Sequence, residues 1–458
     1  MARVDDPAAA RPPVPLGANR DYRIWWLGSA LSALGTSLST TAFPLLVLGS
    51  TGSALKAGSI GAASMVGAVV TMLVGGTLAD RFSRRAILLV CPVVQAVALG
   101  VVAALVYAGS PSVVALDAAA LGSGLAAGLQ YAATTPALRR IVPREQFGEA
   151  TARGLGSTMA ARLAGAPLGG LLFGLFRWIP FLADAVSFLV VAAATALLRT
   201  PLGPDAVEGE RRAGFVTELR AGWRVVRTNS YLRLNIVWTA LLNAVTQGFV
   251  LLLVALVLYR GGSPAVVGVV NAMALAGGVL GAFASSLLLR RFRAKQVLFG
   301  ALWVFVIALA PIAWLPVPWQ IGVFLLIAMT MTVPLNSVLE AYEVRMVPDS
   351  HSGRVTAATR LGSQALQWAG PLAAGLLADG LGAPGAILVL TAVMAALAIA
   401  LGFFRTTLSV LDRPLAEVEE IAVPADPGDA PEAIPATEAP EPADGAQLTP
   451  PVRRTTRS

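Results

Sequence analysis

Three ionisable side chains, Arg162, Asp117 and Asp184, fall inside long apolar runs of this chain. Ionisable groups in hydrocarbon are costly, and by default they mark a binding site, a proton path or a paired contact between helices. Arg162 lies about nine residues into its run, roughly 13 Å at the helical rise, which places it near a bilayer midplane. An arginine keeps its proton, so it must meet an acid, a substrate anion, carbonyls or cavity water. Asp117 and Asp184 sit nearer the opposite surface, deep enough to be shielded and shallow enough to reach water. One reading makes Arg162 an anion- or acid-pairing site, with Asp117 or Asp184 carrying a coupling proton. The other makes Arg162 a structural arginine held by an acid or by helix carbonyls. Glu340 and Glu343 close the tenth apolar run.

Composition removes several other chemistries. Cys91 is the single cysteine and His351 the single histidine, so no disulfide framework, zinc site or Cys/His catalytic pair can be assembled. The only lysines, Lys56 and Lys295, lie outside any G-x-x-x-x-G-K-[ST] loop, which leaves no phosphate cradle for ATP. No enzymatic activity, metal or cofactor is expected, and any transport must draw on a gradient or on a separate subunit.

The elements that hold these residues follow from hydropathy. Of 458 residues, 56% are hydrophobic and 13% charged, against roughly 25% charged in a soluble domain. Apolar runs long enough to cross a hydrocarbon core cover 24–48, 58–79, 86–107, 113–136, 154–175, 179–198, 232–258, 265–289, 296–315, 319–340, 357–378 and 384–404. This predicts an all-α membrane protein with twelve transmembrane helices. Basic residues accumulate on the cytoplasmic side of membrane proteins. With both termini cytoplasmic, the inside segments hold 30 of the 34 Lys and Arg residues, and the outside loops only Lys56, Arg177 and Arg260. The net charge of +8 then reports orientation beside anionic lipid, not nucleic-acid binding.

Residues 1–20 form a polar lead and 200–231 a linker between bundles 21–199 and 232–405. Within the linker, Phe215, Leu219, Trp223 and Val226 alternate with Arg220, Arg224 and Arg227, the pattern of an amphipathic helix lying on the inner membrane surface or of a solvated linker helix. From Asp412 to Ser458, ten acids, four arginines and many prolines predict a disordered tail.

An internal repeat divides the chain in two. Residues 75–85 match 285–295 at an offset of 210, and Arg140-Ile141-Val142-Pro143 matches Arg345-Met346-Val347-Pro348 at an offset of 205. The second match continues into the helices, pairing Gly165 with Gly370 and Gly170 with Gly375. Duplicated halves commonly carry a transporter's substrate site between them.

The segment Gly76-x-Leu78-Ala79-Asp80-Arg81-x-x-Arg84-Arg85 resembles the signature loop of the major facilitator superfamily. The resemblance implies two six-helix pseudo-symmetric bundles and a gating latch of Gly76, Asp80, Arg81, Arg84 and Arg85 that holds the outward-facing state. Ser83 stands where the family usually has glycine, and Arg290 replaces the acid in the second copy, which implies a latch on one half only. Gly165-Ala166-Pro167-Leu168-Gly169-Gly170 resembles the family's glycine-proline exporter motif. Its small residues allow close helix approach and Pro167 removes a backbone hydrogen bond, so Gly165, Pro167, Gly169 and Gly170 form an expected hinge. Trp25-Trp26-Leu27-Gly28 and Asp184-Ala185-x-Ser187-Phe188 look most like the bacterial branch of siderophore exporters and macrolide efflux proteins.

In that fold the first, fourth, seventh and tenth spans line the cavity. The resemblance therefore implies substrate contacts from Trp26, Thr40, Gln130, Tyr131, Asn243, Gln247 and Asn336, with Arg162 beside them. The expected function is proton-coupled export of amphipathic small molecules through the cytoplasmic membrane, by a monomer whose partners are a small-molecule substrate, a coupling proton and the lipid bilayer. The contrasting readings are a membrane sensor or scaffold on the same fold, or a gradient-driven importer.

Overall fold

Within lipid every backbone N–H and C=O must find its partner inside the chain, which leaves helices as the solution for apolar runs of this length. The computed structural model describes residues 15–81, 83–109, 111–203 and 215–421, with the backbone alone at 73–81, 215–218 and 349–350. The described residues form fourteen α-helices. The first half holds α1 (Arg20–Thr51), α2 (Ala54–Arg81), α3 (Arg84–Tyr107), α4 (Val113–Ile141), α5 (Phe147–Leu175) and α6 (Ile179–Ala196). After α7 (Phe215–Thr228) come α8 (Ser230–Tyr259), α9 (Pro264–Arg291), α10 (Ala294–Leu309), α11 (Pro318–Thr330), α12 (Thr332–Met346), α13 (Asp349–Gln364) and α14 (Ala369–Phe403).

Eleven described segments are long and apolar enough to cross a membrane. One of them, His351–Phe403, runs for 53 residues, about 80 Å at the helical rise, far more than a hydrocarbon core of about 30 Å. It breaks at Gly382, whose φ of 72° and ψ of 162° suit a residue without Cβ. The two parts make separate crossings, which brings the total to twelve. At the first turn of the chain, Gly52 adopts φ 69° and returns its N–H to the Leu48 carbonyl, closing α1 with the left-handed cap that favours glycine.

The helices end alternately on two faces. One face gathers Arg20, Arg84, Arg139, Arg140, Arg290 and Arg345, and the other holds Lys56, Arg177 and Arg260; these are called the Arg-rich and Arg-poor ends below. The repeat is visible in the helix boundaries. The ends of α2 and α9, at Arg81 and Arg291, and the starts of α3 and α10, at Arg84 and Ala294, keep the offset of 210. The ends of α4 and α12, at Ile141 and Met346, keep the offset of 205.

The halves meet at the Arg-poor end through equivalent contacts. Gly170 of α5 lies against the Pro264 carbonyl of α9, and Gly375 of α14 against the Ala54 carbonyl of α2. Gly268 covers Ala166 and Pro167, and Gly58 covers Pro371. A Cβ at Gly375 would stand 2.6 Å from the Ala54 oxygen, nearer than such atoms come, so the absence of a side chain is what lets these backbones touch. Gly165 and Gly169 serve a different contact, packing on Ser37 and Leu38 of α1. The helix continues through Pro167 to Leu175.

Two boundaries differ from the hydropathy reading. Helix α7 docks on the protein: Val225 and Val226 are buried, Gly222 meets the Arg354 carbonyl, and Trp223 lies against Gly362 of α13. Its Arg220 and Arg227 remain exposed. The start of the tail expected from Asp412 is also packed. Asp412 pairs with Lys295 at 2.8 Å, Tyr342 donates to the Arg413 carbonyl at 2.7 Å, Val418 is buried, and the Ile421 N–H reaches the Met346 carbonyl at 2.8 Å. The remaining tail, 422–458, lies outside the described residues, as do 1–14 and 204–214.

Candidate functional site

Side chains three or four residues apart share one face of a helix, and three helices of the second half each present a polar stripe at that spacing. On α8 it is Asn235, Thr239 and Asn243; on α12, Asn336, Glu340 and Glu343; on α13, Thr356, Thr359, Arg360 and Ser363, with Gln367 in the turn that follows. The stripes converge on a cavity of about 380 Å³ in the Arg-rich half of these helices. The Thr359 hydroxyl donates to Glu343 at 2.5 Å and the Asn235 amide donates to it at 3.4 Å. Asn243 donates to the Ser363 carbonyl at 3.0 Å, fixing α8 against α13. Arg360 reaches out of its own half and donates to the Tyr131 hydroxyl of α4 at 2.9 Å.

This wall combines amides, hydroxyls, two carboxylates and one guanidinium. It suits an organic solute held by many hydrogen bonds, with orientation set by a few charged groups. Both described hydrogen-bond donors to Glu343 are neutral groups, and Arg360 stands in the same cavity wall.

Of the expected contacts, Asn243 and Asn336 line this cavity, and Tyr131, 56% exposed, is drawn to its rim by Arg360. Gln247 approaches the first half, its amide 3.9 Å from the Met65 sulfur. The others are engaged elsewhere. Gln130 accepts from the Gln95 amide at 2.7 Å, pinning α4 to α3. The Trp26 indole faces the Arg153 carbonyl at 3.4 Å, and the Thr40 hydroxyl turns back on the Thr36 carbonyl at 2.6 Å.

Arg162 lies between the strip of α5 that packs on α1 through Gly165 and Gly169 and the strip that packs on α9 through Ala166 and Gly170. Its side chain is exposed and makes no hydrogen bond or ion pair with the described residues, while its carbonyl accepts from the Ser37 hydroxyl at 2.9 Å. No acid or carbonyl partner for a structural Arg162 lies among the described residues.

Neither expected proton carrier lines the cavity. Asp184, 1% exposed, is enclosed between α6 and α1, accepting from Ser39 at 2.5 Å, Ser187 at 3.2 Å and Thr36 at 3.4 Å. A Cβ on Gly35 would stand 2.8 Å from its Oδ1, so the Gly35-Thr36-Ser37-Leu38-Ser39 segment is the socket for this acid. Asp117 accepts from Ser59 of α2 at 3.0 Å, joining α4 to α2 near the Arg-poor end.

The side chains of Asp80 and Arg81, like Gly76, fall in the stretch whose backbone alone is described, and their latch contacts lie outside the described residues. Arg85 binds within its own half, donating to the carbonyls of Ala196 and Leu198 at 2.8 and 3.2 Å. Cations are favourable at helix C-termini, and here one anchors the end of α6. Both of its described contacts stay within the first half.

Glu340, Glu343, Arg360, Asn235 and Thr359 were not among the expected site residues. Their signal was the four-residue spacing of polar groups at the ends of the seventh, tenth and eleventh runs.

The sequence profile of the Major Facilitator Superfamily matches residues 25–366. No curated protein sequence matches the chain. Among solved structures, a point mutant of the nucleoside transporter NupG superposes with a TM-score of 0.70 at 12% identity, over 84% of this chain and 99% of that one. A bacterial homologue of the human lysosomal transporter Spinster, in an inward-facing and unoccupied conformation, gives 0.66 at 15% identity, over 86% and 96%. At such identities the likeness is one of fold. With the profile covering most of the chain and twelve crossings arranged as a duplicated bundle, this chain belongs to the major facilitator superfamily and is an integral membrane protein.

Proposed function

We propose that the chain is a secondary active transporter that exports amphipathic small molecules, such as a drug, an antibiotic or a siderophore, by proton-coupled alternating access. The observation that carries this reading is the polar cavity in the Arg-rich half, set against the glycine-packed closure of the Arg-poor end. If the Arg-rich end faces the cytoplasm, as basic residues favour, the cavity loads from inside the cell, and both termini are cytoplasmic. The glycine-proline segment of α5 supports export, and the Spinster homologue supports an inward-facing assignment because it superposes in that state. Glu343 replaces Asp117 and Asp184 as the favoured proton carrier, because it lines the cavity and they do not. Asp80 and Arg84 remain the proposed latch of the opposite state.

The test is expression in an efflux-deficient bacterium. Lower accumulation of at least one member of a broad compound panel, lost on Arg360→Gln with insertion preserved, is the expected result. Unchanged accumulation across the panel despite confirmed insertion would count against export.

A further inference from the structure

The first four N–H groups of a helix have no partner within it. At the start of α2 the second half supplies two of the missing acceptors. Asp379 of α14 accepts the Ala54 N–H at 2.7 Å through Oδ1 and the Leu55 N–H at 3.2 Å through Oδ2. Its Oδ2 also accepts the Ser53 hydroxyl at 2.6 Å. Ser53 in turn accepts the Lys56 N–H through its hydroxyl oxygen at 3.3 Å and the Ala57 N–H through its carbonyl at 3.3 Å. All four N–H groups of the first turn are thus satisfied, two of them only because the halves are in contact. The negative carboxylate at the positive end of the helix adds to the attraction.

The pseudo-symmetric position has nothing of the kind. Shifting Asp379 by the repeat offset of 205 leads to Gly174 of α5, and the helix it would face, α9, is capped within its own half by the Ser263 hydroxyl, which accepts the Val266 N–H. The glycine contacts are duplicated and the carboxylate cap is not.

We infer that Asp379 is a one-sided lock on the Arg-poor end, a positioning residue that sets the balance between the two states of the transporter. When that end opens, α2 and α14 part, Asp379 leaves, and the N–H groups of Ala54 and Leu55 pass to water. The inference rests on alternating access and is independent of substrate, direction and coupling ion. Losing a helix cap of this type shifts an equilibrium by about twofold to thirtyfold, and the exposure of Asp379 favours the lower part of that range.

The experiment uses full-length protein with Cys91→Ser and spin labels at Tyr107→Cys of α3 and Trp319→Cys of α11, exposed positions at the Arg-poor end of opposite halves. Distance distributions are recorded in lipid nanodiscs without substrate, beside melting temperatures. Asp379→Ala is expected to raise the ratio of long to short distances by about fivefold, with Asp379→Asn, whose amide oxygen can still accept one N–H, and Ser53→Ala in the same direction and smaller. Gly174→Ala, at the equivalent position, is expected to leave the ratio unchanged. Should Asp379→Ala fail to fold, the near-isosteric Asp379→Asn gives the answer alone. An unchanged ratio in Asp379→Asn, with or without a lower melting temperature, would overturn the lock and leave Asp379 a cap for α2. Failure of every compound to be transported would leave this result standing, because no substrate enters the measurement.

Discussion

Arg360 of α13 donates to the hydroxyl of Tyr131 of α4 across 2.9 Å, so the polar wall of the second half is tied to the first half by a charged hydrogen bond at the cavity rim. A bond to a charged group contributes about 1.5–3 kcal/mol, and its geometry depends on the planar guanidinium. Arg360→Gln is expected to lower solute flux about tenfold or more, and Arg360→Lys to recover part of it. Tyr131→Phe, which leaves the cation free to bind solute, should cost only a few-fold. Initial rates in proteoliposomes at equal insertion check this; a larger loss for Tyr131→Phe than for Arg360→Gln would reverse the assignment.

Glu343 accepts two neutral donors, Thr359 and Asn235, and Glu343→Gln keeps the shape while removing the exchangeable charge. The expected result is a split: solute exchange across the membrane without a gradient persists, whereas accumulation driven by an imposed pH gradient disappears. Equal loss of both activities would mean that Glu343 binds solute without carrying the proton.

Asp184 is expected to act as a pin between α1 and α6. Its donors Ser39 and Ser187 also have backbone carbonyls in reach, at 3.2 and 2.8 Å, so removing the carboxylate strands little. Asp184→Asn should keep at least half of parental flux. Asp184→Leu, which leaves the Thr36 hydroxyl without this acceptor, should lower stability by about 1–3 kcal/mol, read as a lower melting temperature in detergent. Normal stability with abolished gradient-driven flux in Asp184→Asn would return this acid to the proton path.

For Arg162, the absence of a described partner predicts that Arg162→Gln leaves the melting temperature unchanged, since no acid is stranded by losing the charge. If the guanidinium meets solute in the space it faces between α1 and α9, flux falls and Arg162→Lys restores only part of it. Parental flux in Arg162→Gln would remove it from the site.

Much of the fold was legible because apolar length and arginine placement are dictated by the bilayer itself. The repeat was legible as well, since Gly170 with Gly375 and Ile141 with Met346 mark equivalent contacts and equivalent helix ends. The cavity was less so. Hydropathy ended the tenth span at Glu340 and began the eleventh at 357, yet α12 runs to Met346 and α13 starts at Asp349. Polar residues that face a cavity lower hydropathy as a loop does, so Glu343, Thr359 and Arg360 read as span ends. Asp184 misled for the opposite reason: a buried acid invites a functional reading, while its hydroxyl socket on α1, some 145 residues earlier for Ser39, carries no mark in sequence. Gln130 likewise offered a cavity amide and instead meets Gln95.

The most direct test of transport through this cavity is solute flux in proteoliposomes under an imposed pH gradient, parent beside Arg360→Gln and Glu343→Gln. The account predicts gradient-driven accumulation of at least one amphipathic compound by the parent, reduced about tenfold or more by Arg360→Gln and uncoupled from the gradient by Glu343→Gln. Accumulation that both variants match, at equal insertion, would contradict it.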